Sequence, residues 1–200
     1  MTLAGIFVGG AARRMGGAPK GLLPSPDTGE ALVVRAARCC AEAGLTPVLV
    51  GRAEAYRAAL PALAVLDDDP PGCGPLGGLR ALLRHAQAGA VVALACDLPH
   101  LTADALRALR DAPDDLPVVA PRAGPDAPWE PLLARYDVAR ATPAVEAALA
   151  ARRHGLQPLL RELGVRAVEL PAACLIDWDA PGDLAAPATR PTPAPRRPSR

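Results

Sequence analysis

Short apolar runs alternate with alanine-rich segments along the first 120 residues of this 200-residue chain. Runs such as Leu3–Val8 and Ala90–Ala95 contain no charged residue, which is typical of strands buried on both faces of a parallel sheet. The predicted strands are Leu3–Val8, Pro47–Val50, Ala64–Leu66, Ala90–Ala95 and Val118–Ala120, and the predicted helices are Ala31–Ala43, Ala53–Leu60, Leu76–His85 and Ala103–Arg110, the last with Thr102 as its N-cap. This alternation predicts a three-layer α/β/α sandwich with a mostly parallel sheet.

The second half of the chain has a less regular pattern. Its predicted elements are a strand over Pro131–Tyr136, a helix over Ala139–Ala151 and short strands over Val165–Leu170 and Leu175–Trp178. We expect one domain over residues 1–186, because this length suits one sizeable core better than two. Residues 187–200 are rich in proline and arginine, which predicts a disordered tail.

The charge and cysteine content narrow the class of protein. The net charge is +1, and residues 187–200 carry four arginines and no acid, so residues 1–186 carry about −3. This balance argues against nucleic acid as a partner, and binding of nucleic acid through the basic tail is the alternative. The five cysteines lack metal-ligand spacing and indicate reduced thiols in the core. No signal peptide or membrane-spanning run is visible, so we expect a cytoplasmic protein without membrane contact.

The loop from Gly9 to Lys20 combines glycines with positive charge, between a predicted strand and a predicted helix. Glycine lets backbone N–H groups approach phosphate oxygens, while Arg13, Arg14 and Lys20 add positive charge beside a triphosphate. The loop has neither the P-loop pattern G-x-x-x-x-G-K-[ST] nor G-x-G-x-x-G. It predicts a phosphate site, with a mobile surface loop as the alternative. Right-handed crossovers would bring the loops after β-strand residues 8, 66 and 95 to the same sheet edge.

The loop GGAARRMGGAPKGLL resembles the opening signature of nucleotidyltransferases, and it is most similar to that of the molybdenum cofactor guanylyltransferases (the MobA type). Four further segments resemble the family in the same order: GPLGGL at Gly74–Leu79, ACDLPHL at Ala95–Leu101, EPLLARY at Glu130–Tyr136 and DWDAPGDL at Asp177–Leu184. The resemblance spans nearly the whole expected domain. It implies the Rossmann-like sheet of the nucleotide-diphospho-sugar transferase type.

Three positions depart from the family pattern. Val8 stands where the family usually has a small alanine, and Pro19 stands where it usually has an aspartate. Asp177 and Asp179 replace the two asparagines of the closing motif. This last departure affects the acceptor end of the expected site.

The resemblance implies in-line attack of an acceptor phosphate on the α-phosphorus of a nucleoside triphosphate, with pyrophosphate leaving. Such a reaction requires positive charge and a metal-binding carboxylate near the α-phosphate. We expect Asp97, directly after the strand Ala90–Ala95, to bind Mg²⁺, with Mn²⁺ as an alternative ion. A turn or N-cap role is the alternative for Asp97. Lys20 would stabilise charge on the α-phosphate, and Arg14 would hold the β- and γ-phosphates.

The resemblance also assigns the base of GTP to main-chain groups and one carboxylate, at Phe7, Val8, Gly9 and Asp67. A carboxylate can accept from N1–H and the exocyclic amine of guanine, and cytosine lacks this pair of donors. Asp67 opens an acidic run, so Asp68 or Asp69 is also a candidate, and a solvated acidic turn is the alternative.

Three further groups complete the expected nucleotide site. Gly10 and Arg13 belong to the first loop. Gly77 permits close approach of either a ligand or a helix, and a tight helix start is the alternative. Asp179 completes the metal shell with Asp97 or faces the pterin of the acceptor, and a loop carboxylate without a function is the alternative.

The function that the resemblance implies is transfer of GMP from GTP to molybdopterin. The alternatives are cytidylyl transfer to molybdopterin, nucleotidyl transfer to a sugar phosphate, and a non-catalytic nucleotide-binding module. The expected partners are small-molecule substrates, with transient contact to other cofactor-biosynthesis proteins or acceptor apoenzymes.

Overall fold

The computed structural model describes residues 2–8 and 19–178 of the chain. These residues contain one sheet of seven strands: β1 (Leu3–Phe7), β2 (Thr46–Val50), β3 (Val65–Leu66), β4 (Ala90–Ala95), β5 (Val118–Ala120), β6 (Leu133–Asp137) and β7 (Val165–Ala167). The strands lie in the order β3-β2-β1-β4-β6-β5-β7. Strand β6 is antiparallel to β4 and β5, and the other paired strands are parallel. The predicted mostly parallel sheet is confirmed.

Helices cover both faces of this sheet. They are α1 (Leu32–Glu42), α2 (Pro75–Ala86), α3 (Ala103–Asp111), α4 (Val138–Ala150) and α5 (Leu156–Leu163). On one face, α1 and α3 pack over Ile6 and Leu94; on the other face, α2, α4 and α5 pack over Val91 and Tyr136. Successive strand residues point to opposite faces, so a central strand that is apolar throughout fills both cores. The predicted three layers are confirmed.

One predicted helix is wrong. Over Ala53–Leu60 the structure has only a 3₁₀ turn at Glu54–Tyr56, followed by a further turn. Pro61 disfavours helical backbone at the residue before it, and Tyr56 is buried in the core beside α1. The segment therefore serves to place one aromatic side chain.

The chain after residue 150 contains two further differences. Residues 175–178 do not form the predicted strand, because the Trp178 N–H donates to the Asp97 carbonyl (3.2 Å) and a 3₁₀ turn occupies Ala172–Leu175. The predicted strand Val165–Leu170 is shorter, and the helix α5 was not predicted.

The predicted N-cap, the predicted glycine after α1 and the predicted free thiols are confirmed. The Thr102 side chain accepts from the Ala105 N–H at the start of α3, and Gly44 (φ +71°) follows the end of α1. All five cysteines are free thiols, and four are buried: Cys39, Cys40, Cys96 and Cys174. Within residues 2–8 and 19–178, no helix has the length and apolar character required to cross a membrane.

Candidate active site

The carboxyl ends of β1, β2, β3 and β4 lie side by side at one edge of the sheet. The strand register places Phe7 beside both Val50 and Ala95, and it places Val50 beside Leu66. The loops that follow Val8, Leu66 and Ala95 therefore leave from the same edge, as predicted. Residues distant in sequence can meet there.

Lys20 and Asp97 form an ion pair at this edge. The Lys20 Nζ donates to Asp97 Oδ2 at 3.3 Å, and the two side chains are 21% and 18% exposed, respectively. Burial raises the pKa of Asp97 above its usual value; the Lys20 ammonium acts in the opposite direction, and the Asp177 carboxylate adds to the rise. The structure thus brings together the two residues to which the sequence assigned the chemistry at the α-phosphate.

A buried tyrosine packs beneath this pair. Tyr56 and Cys96 both lie close to Gly21, and Gly21 and Cys96 are the direct neighbours of Lys20 and Asp97. A Cβ atom on Gly21 would lie 2.8 Å from Tyr56 Cε1 and 3.2 Å from Cys96 Sγ. Only glycine allows the two segments to approach so closely on the tyrosine ring. No residue pattern in the sequence predicts this contact.

A cleft of about 610 Å³ opens on the β2–β3 side of the pair. Its lining residues come from the loops after these two strands: Gly51, Arg52, Asp67, Asp68, Pro71, Gly72 and Gly74. Asp67 is exposed, whereas Asp68 is partly buried. Burial raises the pKa of Asp68, the Arg52 guanidinium opposes this rise, and the Asp67 carboxylate adds to it. The volume is within the range of small-molecule sites.

Asp69 has a different environment from the two preceding aspartates. Its carboxylate pairs with Arg80 (2.9 Å) and Arg84 (3.0 Å) of α2, and its N–H donates to the Gly77 carbonyl (3.2 Å). Asp69 therefore ties the acidic loop to the helix. Of the three candidates for contact with the base, Asp67 and Asp68 line the cleft.

Other predicted base contacts lie at the floor of the same edge. Phe7 and Val8 are buried at the end of β1, and the Val8 N–H donates to the Val50 carbonyl (2.9 Å), so this N–H is engaged in the sheet. A Cβ on Gly77 would lie 2.6 Å from the Pro70 carbonyl oxygen. The close approach expected at Gly77 is thus made by the acidic loop against α2.

A second cleft, of about 280 Å³, opens on the β4–β6 side. Asp97, Glu130 and Asp177 line it together with apolar residues that include Pro131 and Leu175. Glu130 begins the EPL segment, and its motif alone predicted no role for its side chain. The Trp178–Asp97 backbone hydrogen bond holds the closing segment against this cleft.

Five predicted site residues lie outside the residues that the structure describes: Gly9, Gly10, Arg13, Arg14 and Asp179. Residues 187–200, the expected tail, also lie outside them. Their predicted roles remain predictions.

Comparison with known proteins agrees with this geometry. A family model for the MobA-like NTP transferase domain matches residues 4–168. The chain belongs to this family. It is therefore a nucleotidyltransferase, and the resemblance drawn from the motifs is confirmed.

Individual relatives align over most of the chain. The molybdenum cofactor guanylyltransferase of Pseudomonas syringae pv. syringae (strain B728a) is 34% identical over 165 residues, covering 77% of this chain and 78% of the relative. That of Pseudomonas fluorescens (strain SBW25) is 34% identical over 173 residues, covering 84% and 82%. The crystal structure of molybdopterin-guanine dinucleotide biosynthesis protein A from Archaeoglobus fulgidus is similar, with a TM-score of 0.72, 23% identity and coverage of 92% and 95%. That structure supports the fold.

Proposed function

We propose that this nucleotidyltransferase transfers GMP from GTP to molybdopterin, forming the guanine dinucleotide cofactor and releasing pyrophosphate. The observation that carries the proposal is the ion pair between Lys20 Nζ and Asp97 Oδ2, which are 3.3 Å apart at the edge of the sheet. The pair lies between the two clefts. The names of the two Pseudomonas relatives support guanine as the base and the molybdenum cofactor as the acceptor.

The reaction forms one P–O bond and breaks another. An oxygen of the acceptor's phosphate attacks the α-phosphorus, and the bond between the α-phosphorus and its bridging oxygen to the β-phosphate breaks. Negative charge develops on the α-phosphate oxygens and on the leaving pyrophosphate. The Lys20 ammonium is partly desolvated beside Asp97, so its attraction for that charge is stronger than it would be in water. Arg14 is proposed to hold the β- and γ-phosphates.

The oxygen donors at this edge fit a divalent cation. Mg²⁺ at nucleotide sites is typically held by one or two carboxylates together with phosphate oxygens. Asp97 and Asp177 line the same cleft and supply such donors, and Asp179 is proposed to join them. Among residues 2–8 and 19–178, no group of three His, Cys, Asp or Glu side chains is arranged to hold a metal. We assign the cation to Asp97 and Asp177 together with phosphate oxygens of the substrates. The cation would neutralise charge on the transferring phosphate.

We assign the base of GTP to the larger cleft. Asp67 and Asp68 line it, and a carboxylate there can accept from both N1–H and the exocyclic amine of guanine. The burial of Asp68 makes an unpaired carboxylate costly, and a guanine that donates two hydrogen bonds would remove that cost. The smaller cleft, beside Asp97 and Glu130, is then left for the acceptor.

Transfer assays with purified protein, Mg²⁺ and molybdopterin test this function. We expect dinucleotide formation with GTP and at least about tenfold less with CTP, ATP or UTP, because each good bidentate contact contributes about 1–3 kcal/mol of discrimination. Preferred turnover of CTP would overturn the guanylyl assignment.

Asp97→Asn tests the role of the carboxylate. It should lower transfer by more than about 100-fold while largely sparing nucleotide binding measured without metal. The matched control is Asp104→Asn, which removes a carboxylate that is 90% exposed on α3. Wild-type turnover by Asp97→Asn would remove Asp97 from the mechanism.

A further inference from the structure

Arg35 is a charged side chain in the core layer of α1. The residue is 8% exposed, although charged groups are buried only at a cost that their partners must offset. Its position in the first turn of the helix, four residues from the apolar Ala31, gives no hint of a function in the sequence. The contacts of its guanidinium define what this buried charge does.

The guanidinium joins two segments that are separated by more than 70 residues. Its Nη1 donates to both carboxylate oxygens of Asp27 (2.8 and 2.7 Å), and its Nε donates to the Leu101 carbonyl (3.2 Å). Asp27 lies in the loop between the turn that begins at Lys20 and the helix α1. Leu101 ends the loop that begins at Asp97. One planar group therefore ties the lysine segment to the aspartate segment.

The lysine segment is folded tightly enough to transmit this contact. The Leu23 N–H donates to the Lys20 carbonyl (3.0 Å), and the Leu32 N–H donates to the Leu23 carbonyl (3.0 Å). Within the loop, the Ser25 N–H donates to the Glu30 carbonyl (2.7 Å). Short hydrogen-bonded turns therefore connect the loop that contains Asp27 to Lys20.

The aspartate segment is held in the same way. The Leu101 N–H donates to the Leu98 carbonyl (3.3 Å), and the Leu101 carbonyl also accepts from the Cys39 thiol (3.6 Å). The Cys174 thiol donates to the His100 carbonyl (3.4 Å). These thiols are weak donors, so Arg35 supplies the charged hydrogen bond at this loop.

We propose that Arg35 is a positioning residue that sets the separation of Lys20 and Asp97 at the transferring phosphate. The proposal rests on the function proposed above for that pair. Arg35 does not line either cleft, so it acts through Asp27 and Leu101. A misplacement of about 1 Å at a reacting centre can cost about 100-fold in rate. The planar fork of arginine suits two acceptors at different angles, and lysine cannot reproduce it.

The test compares three arginine variants of the full chain in the GTP and molybdopterin transfer assay. We expect Arg35→Met to lower kcat by about 10- to 100-fold and Arg35→Lys by less, with KM for GTP changing less than about threefold. The matched control is Arg38→Gln, because Arg38 lies on the same helix and pairs with Glu30 of the same loop without contacting Leu101. It should stay within about twofold of wild type, since exposed ion pairs contribute little. Wild-type kcat in both Arg35 variants would overturn the proposal.

A second measurement separates positioning from a general loss of stability. Single-turnover rates with radiolabelled GTP are compared for Lys20→Ala with and without Arg35→Lys. If Arg35 acts by positioning Lys20, the second change should slow Lys20→Ala less than it slows the wild type. Equal slowing in both backgrounds would refute the proposal. Full activity of Lys20→Ala itself would instead refute the role that the proposed function gives to Lys20, and no dinucleotide formation by the wild type would refute the proposed function, so these failures are distinguishable. If Arg35→Met does not fold, Arg35→Lys and Asp27→Asn carry the same comparison.

Discussion

Gly77 lies in the first turn of α2, where its Cα faces the loop that lines the larger cleft. A Cβ at this position would lie 2.6 Å from the Pro70 carbonyl oxygen, and ordinary contact begins near 3.4 Å. The loop or the helix must therefore move by about 0.8 Å to accept an alanine. Alanine in a helix gains about 1 kcal/mol over glycine, whereas overpacking costs about 1–3 kcal/mol. We expect Gly77→Ala to lower the free energy of unfolding by about 0–2 kcal/mol.

The residues that move to accept the alanine side chain should be mainly those that line the larger cleft. Asp69 is held to α2 by two arginines and by its hydrogen bond to the Gly77 carbonyl, so this part of the loop follows the helix. The residues beyond Pro70 line the cleft and have to shift instead. If about 1.4 kcal/mol of that strain opposes nucleotide binding, the Kd for GTP rises about tenfold. Lys20 and Asp97 lie outside this contact, so kcat at saturating GTP should stay within about threefold.

Calorimetric titration with GTP and steady-state kinetics measure the two effects separately, and urea denaturation measures the stability. Gly124→Ala is the matched control, because a Cβ there meets no heavy atom within 4 Å. It should leave stability, Kd and kcat unchanged. Unchanged GTP affinity in Gly77→Ala, or a loss of kcat with unchanged KM, would contradict the assignment of the base to this cleft.

Three further predictions concern the surroundings of the catalytic pair. Gly21→Ala should lower the free energy of unfolding by about 1–3 kcal/mol in urea denaturation and should also lower kcat, because its Cβ would lie 2.8 Å from a ring carbon of the buried Tyr56. Partial burial acts to raise the pKa of Asp27, but hydrogen bonds from Arg35 hold this pKa below the usual value of 3.8. The ionised Asp27 carboxylate therefore stabilises the fold above pH 3.8, and this stabilisation is lost as the pH falls through the folded-state pKa. The stability difference between wild type and Asp27→Asn should accordingly shrink from pH 5 to pH 2.5 in denaturation curves, and a constant difference would contradict this. Asp69→Asn should leave the preference for GTP over CTP unchanged in transfer assays, because its carboxylate pairs with α2; a changed preference would assign the base contact to it.

The parts of the fold that depend on local pattern could be predicted from the sequence. Ala90–Ala95 is apolar throughout, and it forms a central strand with the predicted bounds. The helix α5 was predictable as well, because its leucines recur at helical spacing, at Leu156, Leu159, Leu160 and Leu163. The antiparallel direction of β6 could not be predicted from the sequence, since the length of its connection to β5 allows a hairpin as well as a crossover.

In the candidate site, too, the residues in local motifs could be predicted, and the contacts between distant residues could not. Lys20 and Asp97 were assigned because their motifs are local, and the parallel sheet then brings them to one edge. The roles of Tyr56 and Arg35 were not predicted, because they depend on contacts between residues that are distant in the sequence. The Arg35 contact with Leu101 spans 66 positions, and no spacing rule connects them. The three aspartates of the acidic loop are equivalent in sequence, and only the arginines of α2 distinguish the third.

The order of the strands explains why the catalytic pair lies where it does. Strand β1 connects through α1 to β2 on one side, whereas β4 connects through α3 to strands on the other side. The loops after β1 and β4 leave adjacent parallel strands and lead to helices on the same face of the sheet, so their described residues lie beside each other. Lys20 belongs to one of these loops and Asp97 to the other, and their side chains form an ion pair at the edge of the sheet. The cleft beside β2 and β3 and the cleft beside β4 and β6 then open on opposite sides of the pair. Changes in either cleft should alter which substrate is used, while changes in the pair should slow transfer whatever the substrate.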